Sequence, residues 1–112
     1  MPQIAPGEIT EATEAAMARS AGDAALFLKS LSHEGRLMIL CHLATGEKSV
    51  TELETLLGAR QAAVSQQLAR LRRDGLVAHR REGKSILYRV DDRRAARLVG
   101  LLYEMFCAPG QD

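Results

Sequence analysis

The stretch "TELETLLGARQAAVSQQLARLRRDG", residues 51–75, constrains the fold more than any other part of the chain. Leu53, Leu56 and Leu57 mark the inward side of a first short helix that Gly58 stops. Thr51 is placed to cap it, with Glu54 reaching back from three residues later. In a second helix Val64, Leu68 and Leu71 repeat at i, i+4, i+7, and Gly75 marks its end. Two short helices joined by a very short link, the first ending in glycine, form the pattern of a helix-turn-helix.

The surrounding sequence extends this unit on both sides. Residues 1–10, with Pro2, Pro6 and Gly7, are expected to be a flexible arm. "TEATEAAMARSAG" reads as a helix closed by Gly22, and "DAALFLKSLS" as a second one capped by Asp23. In "HEGRLMILCHLATG", Leu37, Leu40, Cys41 and Ala44 fall at helical spacing, and Met38, Ile39 and Leu43 imply burial on most sides. "LVAHRRE" and "SILYRV", separated by Gly83 and Lys84, suggest a β-hairpin. A last helix is expected from Asp91 or Asp92 to Cys107, stopped by Pro109-Gly110, with a flexible tail over residues 108–112. The fold class expected is therefore mainly α with a small β-hairpin wing. One domain over residues 11–107 forms a winged helix-turn-helix that is homodimeric through its terminal helices.

Charge is uneven along the chain. Residues 60–94 carry ten basic and four acidic side chains, against four basic and eight acidic in residues 1–59. A solvated basic face is the commoner explanation of such a block. Here, however, it coincides with a suitable helix. With Val64, Leu68 and Leu71 turned inward, Gln61, Ala62, Ser65, Gln66, Ala69 and Arg73 face outward. Small residues allow close approach to a major groove, and Gln and Ser carry donors and acceptors for base edges. Arg70, Arg72 and Arg73 can reach phosphates, and the wing tip from Arg80 to Ser85, including Arg81 and Lys84, adds cationic reach. Arg60 and Gln67 complete the expected contact set. The partner implied is double-stranded operator DNA.

One such module grips too little DNA for tight specific binding, so a second copy is expected. Leu98, Leu101, Leu102 and Met105 form a stripe on the terminal helix that either covers the protein's own core or faces that copy. The early helix, with Met17, is placed to pack beside it. No apolar run has membrane-spanning length, and "MPQIAPGEIT" is too polar for a signal peptide. The expected address is the cytoplasm, where a permanent disulfide is disfavoured. Cys41, on an apolar helix, reads most simply as a small core hydrophobe, whereas Cys107, near the end of the last helix, is open to reagents.

At this point the sequence resembles a known family. "LSHEGRLMIL", "SVTELETLLGARQAAVSQQLARLRRDGLV" and "RREGKSILYRV" are similar to the ArsR/SmtB transcriptional repressors over roughly residues 24–106. The resemblance implies a homodimeric repressor that leaves its operator when an inducer is sensed. Two positions depart from the family pattern. Arg60 stands where a hydroxyl residue commonly opens the recognition helix, and Gln67 where a histidine is common. The ligand positions of metal-sensing members are also unfilled. Ser49 and Thr51 stand where metalloid sensors need thiolates, and the terminal helix has no histidine. No metal and no cofactor is therefore expected.

The arrangement of Cys41 and Cys107 resembles the sulfide-responsive BigR/SqrR-type branch. That resemblance implies that persulfides or polysulfides, acting as small-molecule inducer, oxidise the two thiols to a disulfide or polysulfide bridge with lower DNA affinity. Leu37, Leu40, Tyr103 and Phe106 would then form an apolar sensing pocket. The rival readings are a zinc-type repressor using Cys41, Cys107 and a histidine, a constitutive DNA-binding protein, and a small thiol enzyme. The last lacks any CxxC or catalytic constellation, so an enzyme is not expected.

Overall fold

The computed structural model describes residues 10–107. The expected arm and tail, apart from Thr10, lie outside the described residues, as does Pro109-Gly110. The chain divides into two units, Met1–Leu31 and Ser32–Asp112.

Among the described residues, the first unit holds one helix, α1, over Glu11–Leu31. It runs through Gly22 without a break, so the two expected helices are one, and Asp23 caps nothing. Glycine costs a helix interior only about 1 kcal/mol relative to alanine, which the surrounding alanine-rich turns tolerate. Thr10 starts the helix: its hydroxyl accepts from the Thr13 N–H at 3.4 Å, while Thr13 Oγ1 accepts from the Thr10 N–H at 2.6 Å.

In the second unit the order is α2 (Glu34–Leu43), β1 (Lys48–Ser49), α3 (Val50–Leu57), α4 (Gln61–Arg73), β2 (Val77–Glu82), β3 (Ser85–Val90) and α5 (Arg93–Phe106). α2 is capped by a side chain not anticipated from the sequence. His33 Nδ1 accepts from the N–H groups of Gly35 and Arg36 at 3.1 and 3.4 Å. Gly35 leaves room for that ring, since a Cβ there would stand 3.1 Å from His33 Cε1. Burial on α2 is one-sided: Ile39, Leu40 and Leu43 are buried, and Met38 is exposed.

α3 begins two residues earlier than Thr51 capping requires. Ser49 is the N-cap, accepting from the Glu52 N–H at 3.1 Å, and Glu52 accepts from the Ser49 N–H at 2.9 Å. The cause is tertiary. β1 pairs antiparallel with β3 through Lys48↔Tyr88 and Ser49↔Leu87, which keeps the chain extended up to Ser49. Gly58 ends α3 in the left-handed region at φ 62°, which glycine adopts without steric cost. Leu53 is buried as expected, Leu57 half-buried, and Leu56 is 50% exposed, against the expectation that it faces inward.

α4 follows, and its Val64, Leu68 and Leu71 are buried as their spacing predicts. β2 and β3 form the expected hairpin around Gly83 and Lys84, with Gly83 at φ 63°. β1 makes the sheet three-stranded, in the order β1-β3-β2. Asp92, rather than Asp91, caps α5 by accepting from the Ala95 N–H at 2.9 Å. Ala95 and Val99, one turn apart, are the buried face of α5. The core of this unit is thus built from α2, α3, α4, the start of β2 and α5, a winged helix-turn-helix with a further helix after the wing.

Candidate nucleic-acid interface and thiol pair

The second helix of the helix-turn-helix presents a continuous polar face. Gln61, Ala62, Ser65, Gln66, Ala69, Arg70 and Arg73 are all exposed on α4, opposite the buried Val64, Leu68 and Leu71. Arg60 is the exposed N-cap of α4 and makes no side-chain cap bond, so the first amide groups of the helix receive nothing from it. Free amides at a helix start, beside an arginine, suit a phosphate oxygen. Gln67 differs from its neighbours. It is half-buried, and its Oε1 is buried with no hydrogen-bond partner among the described residues.

On the wing, Arg81, Lys84 and Ser85 are exposed. Arg80 behaves differently from the sequence expectation: its guanidinium is engaged by Glu47 and Glu82 at 2.9 and 2.7 Å. Glu47 escaped the sequence reading because it lies 33 positions from Arg80, and only the strand register brings the two together. A second link joins the recognition helix to the wing. Arg72 Nη1 donates to His79 Nδ1 at 3.0 Å, which requires the tautomer with a lone pair at Nδ1. The His79 ring also rests against Tyr88, its cross-strand neighbour, with centroids 5.5 Å apart.

The two cysteines are free thiols on packed helices, Cys41 on α2 and Cys107 at the C-terminal cap of α5. Cys41 is half-buried and Cys107 exposed. Burial pushes the Cys41 thiol above the ordinary range, and the charge of a Cys107 thiolate pushes it further. The four residues expected around them are unequally placed. Leu40 is fully buried and Leu37 half-buried, whereas Tyr103 and Phe106 are 55% and 72% exposed. Met17 on α1, and Leu101 and Met105 on α5, are exposed, while Leu98 and Leu102 are half-buried. Among the described residues, no three His, Cys, Asp or Glu side chains are placed to hold a metal ion. His33 uses Nδ1 for the α2 cap. Among the described residues, no helix is long and apolar enough to cross a membrane.

A recognition helix with a polar outer face, flanked by a basic hairpin, defines a winged helix-turn-helix DNA-binding protein. Comparison with known proteins gives the family. Residues 33–79 match the family described as bacterial regulatory protein, arsR family. The biofilm growth-associated repressor of Agrobacterium fabrum is 49% identical over 107 residues, covering 96% of this chain and 92% of that protein. The crystal structure of the transcriptional repressor BigR from Xylella fastidiosa superposes with a TM-score of 0.80 at 48% identity, covering 86% of this chain and 98% of that one. Reduced HlyU from Vibrio cholerae N16961 gives a TM-score of 0.78 at 39% identity, covering 83% and 98% respectively. The chain belongs to the arsR family of bacterial regulatory proteins. It is similar to DNA-binding transcriptional regulators, not to enzymes.

Proposed function

We propose that the chain is a homodimeric transcriptional repressor whose operator affinity is set by the oxidation state of Cys41 and Cys107. The observation that carries this reading is that α2, which holds Cys41, packs against α5, whose C-terminal cap is Cys107. α2 belongs to the body on which the helix-turn-helix is built, and α5 carries the exposed apolar side chains Leu101 and Met105 expected to meet a second copy. A bond between the two helices therefore biases how the reading heads sit relative to the dimer axis. A tenfold fall in operator occupancy requires only about 1.4 kcal/mol of differential stability between the two arrangements.

The inducer is a persulfide or organic polysulfide. One thiolate attacks a polysulfide RS–Sn–SR and displaces RS⁻, and the second thiolate attacks that adduct and displaces another RS⁻. The protein loses two electrons and two protons, and the polysulfide leaves as two thiols and a bridge that retains its inner sulfur atoms. A direct disulfide needs Cα atoms within about 7 Å, whereas a bridge with added sulfur spans more. Selectivity among oxidants follows from that reach. Relatives named as repressors, and a neighbouring structure described as reduced, support the reading.

The experiment is substitution of each thiol. Cys41→Ser and Cys107→Ser should bind DNA as tightly as the reduced parent and keep that affinity after polysulfide treatment. A single-cysteine variant that still releases DNA on treatment would defeat the two-thiol mechanism.

A further inference from the structure

Arg80 stands in the middle of β2, in the hairpin that carries the wing's positive charge, yet two carboxylates occupy it. Its Nε donates to both Glu47 oxygens at 3.1 and 2.9 Å, and its Nη2 donates to Glu47 Oε1 at 2.9 Å. Nη2 also contacts Glu82 at 2.7 Å. The Nε–Nη2 edge is the fork with which an arginine grips a phosphate, and here Glu47 fills it.

The strand register explains why. Arg80 and Ser49 both stand opposite Leu87, so the three share one face of the sheet. Glu47 lies two residues before Ser49, Arg89 two after Leu87, and Glu82 two after Arg80, which places all of them along that face. The guanidinium groups of Arg80 and then Arg89 hold the Glu47 carboxyl below its usual range. Arg81 and Lys84 form no ion pair among the described residues. The wing thus has one cation doubly neutralised beside others left open.

We propose that Glu47 is a specificity-determining residue of the DNA interaction, which acts by keeping Arg80 off the phosphate backbone. Sequence-independent affinity comes from phosphates, whereas base edges carry the information. An additional free arginine on the wing strengthens binding to every duplex, while the base contacts of α4 gain nothing from it. Restraint of Arg80 therefore widens the gap between operator and bulk DNA. Glu47 acts through Arg80, so it is a positioning residue.

The test uses the reduced full chain, a duplex enriched from a random library by the parent protein, and a scrambled duplex of equal length and composition. Affinities are measured over a range of salt concentrations. Glu47→Gln should bind the scrambled duplex about three- to tenfold more tightly at low salt, with a log–log salt slope steeper by about 0.9. The ratio of enriched to scrambled affinity should fall. Glu47→Gln combined with Arg80→Gln should return the slope to the parent value. Glu11→Gln, the same charge change made on α1, should leave slope and ratio unaltered. The proposal is overturned if Glu47→Gln changes neither quantity, if the double variant keeps the gain, or if Glu11→Gln reproduces it.

Discussion

Cys41 is held above the ordinary thiol range by its burial and, second, by the charge of Cys107 across the α2–α5 contact. The two thiols are therefore unequal nucleophiles. In the proposed mechanism the exposed Cys107 meets the reagent first and the half-buried Cys41 resolves the adduct. With a limiting alkylating agent near neutral pH, Cys107 should be modified about tenfold faster than Cys41. Burial, the larger cause, persists in Cys107→Ser, so alkylation of Cys41 should speed up in that variant only at a pH high enough to ionise a neighbouring thiol, where the lost charge would otherwise oppose the Cys41 thiolate. Equal rates at the two sites, or a slower Cys41 in that variant, would contradict the assignment.

The register of the α3 cap gives a stability prediction. Ser49→Ala removes the side chain that accepts from the Glu52 N–H and should cost about 1 kcal/mol. Thr51→Ala, on the exposed first turn, should stay within about 0.5 kcal/mol of the parent. Urea unfolding distinguishes the two, and a larger loss at Thr51 would restore the cap expected from the sequence.

The recognition helix was legible in the sequence because its signal is local. Val64, Leu68 and Leu71 recur at helical spacing on a single face, and all three are buried. The α3 cap was ambiguous because Ser49–Glu52 and Thr51–Glu54 offer the same spacing, and the pairing of β1 with β3 decides between them. Gly22 suggested a stop, but the helix continues, since no proline or side-chain cap reinforces a single glycine there. Ala95 passed unnoticed as a core residue because alanine carries little hydrophobic signal, although it is wholly buried with Val99. Glu47 had no local signal at all, as its partner is reached only across the sheet.

The proposed DNA face and dimer face separate cleanly by substitution. Gln66 is exposed on α4. Gln66→Ala should weaken binding to the enriched duplex by about 1–3 kcal/mol, with scrambled DNA and oligomeric mass unchanged. Leu101, 49% exposed on α5, lies on the stripe assigned to a second copy. Leu101→Glu should yield a folded monomer in sedimentation that no longer binds the enriched duplex tightly. A monomeric Gln66→Ala variant, or a dimeric Leu101→Glu variant, would reassign those faces.

The central claim is tested most directly by treating the reduced protein with an organic polysulfide and measuring, on the same sample, intact mass and affinity for the enriched duplex. The account predicts a Cys41–Cys107 cross-link carrying added sulfur, loss of both free thiols and at least about a tenfold fall in affinity, reversed by a thiol reductant. A cross-linked protein that binds DNA as tightly as the reduced form, or a fall in affinity with both thiols still free, would contradict it.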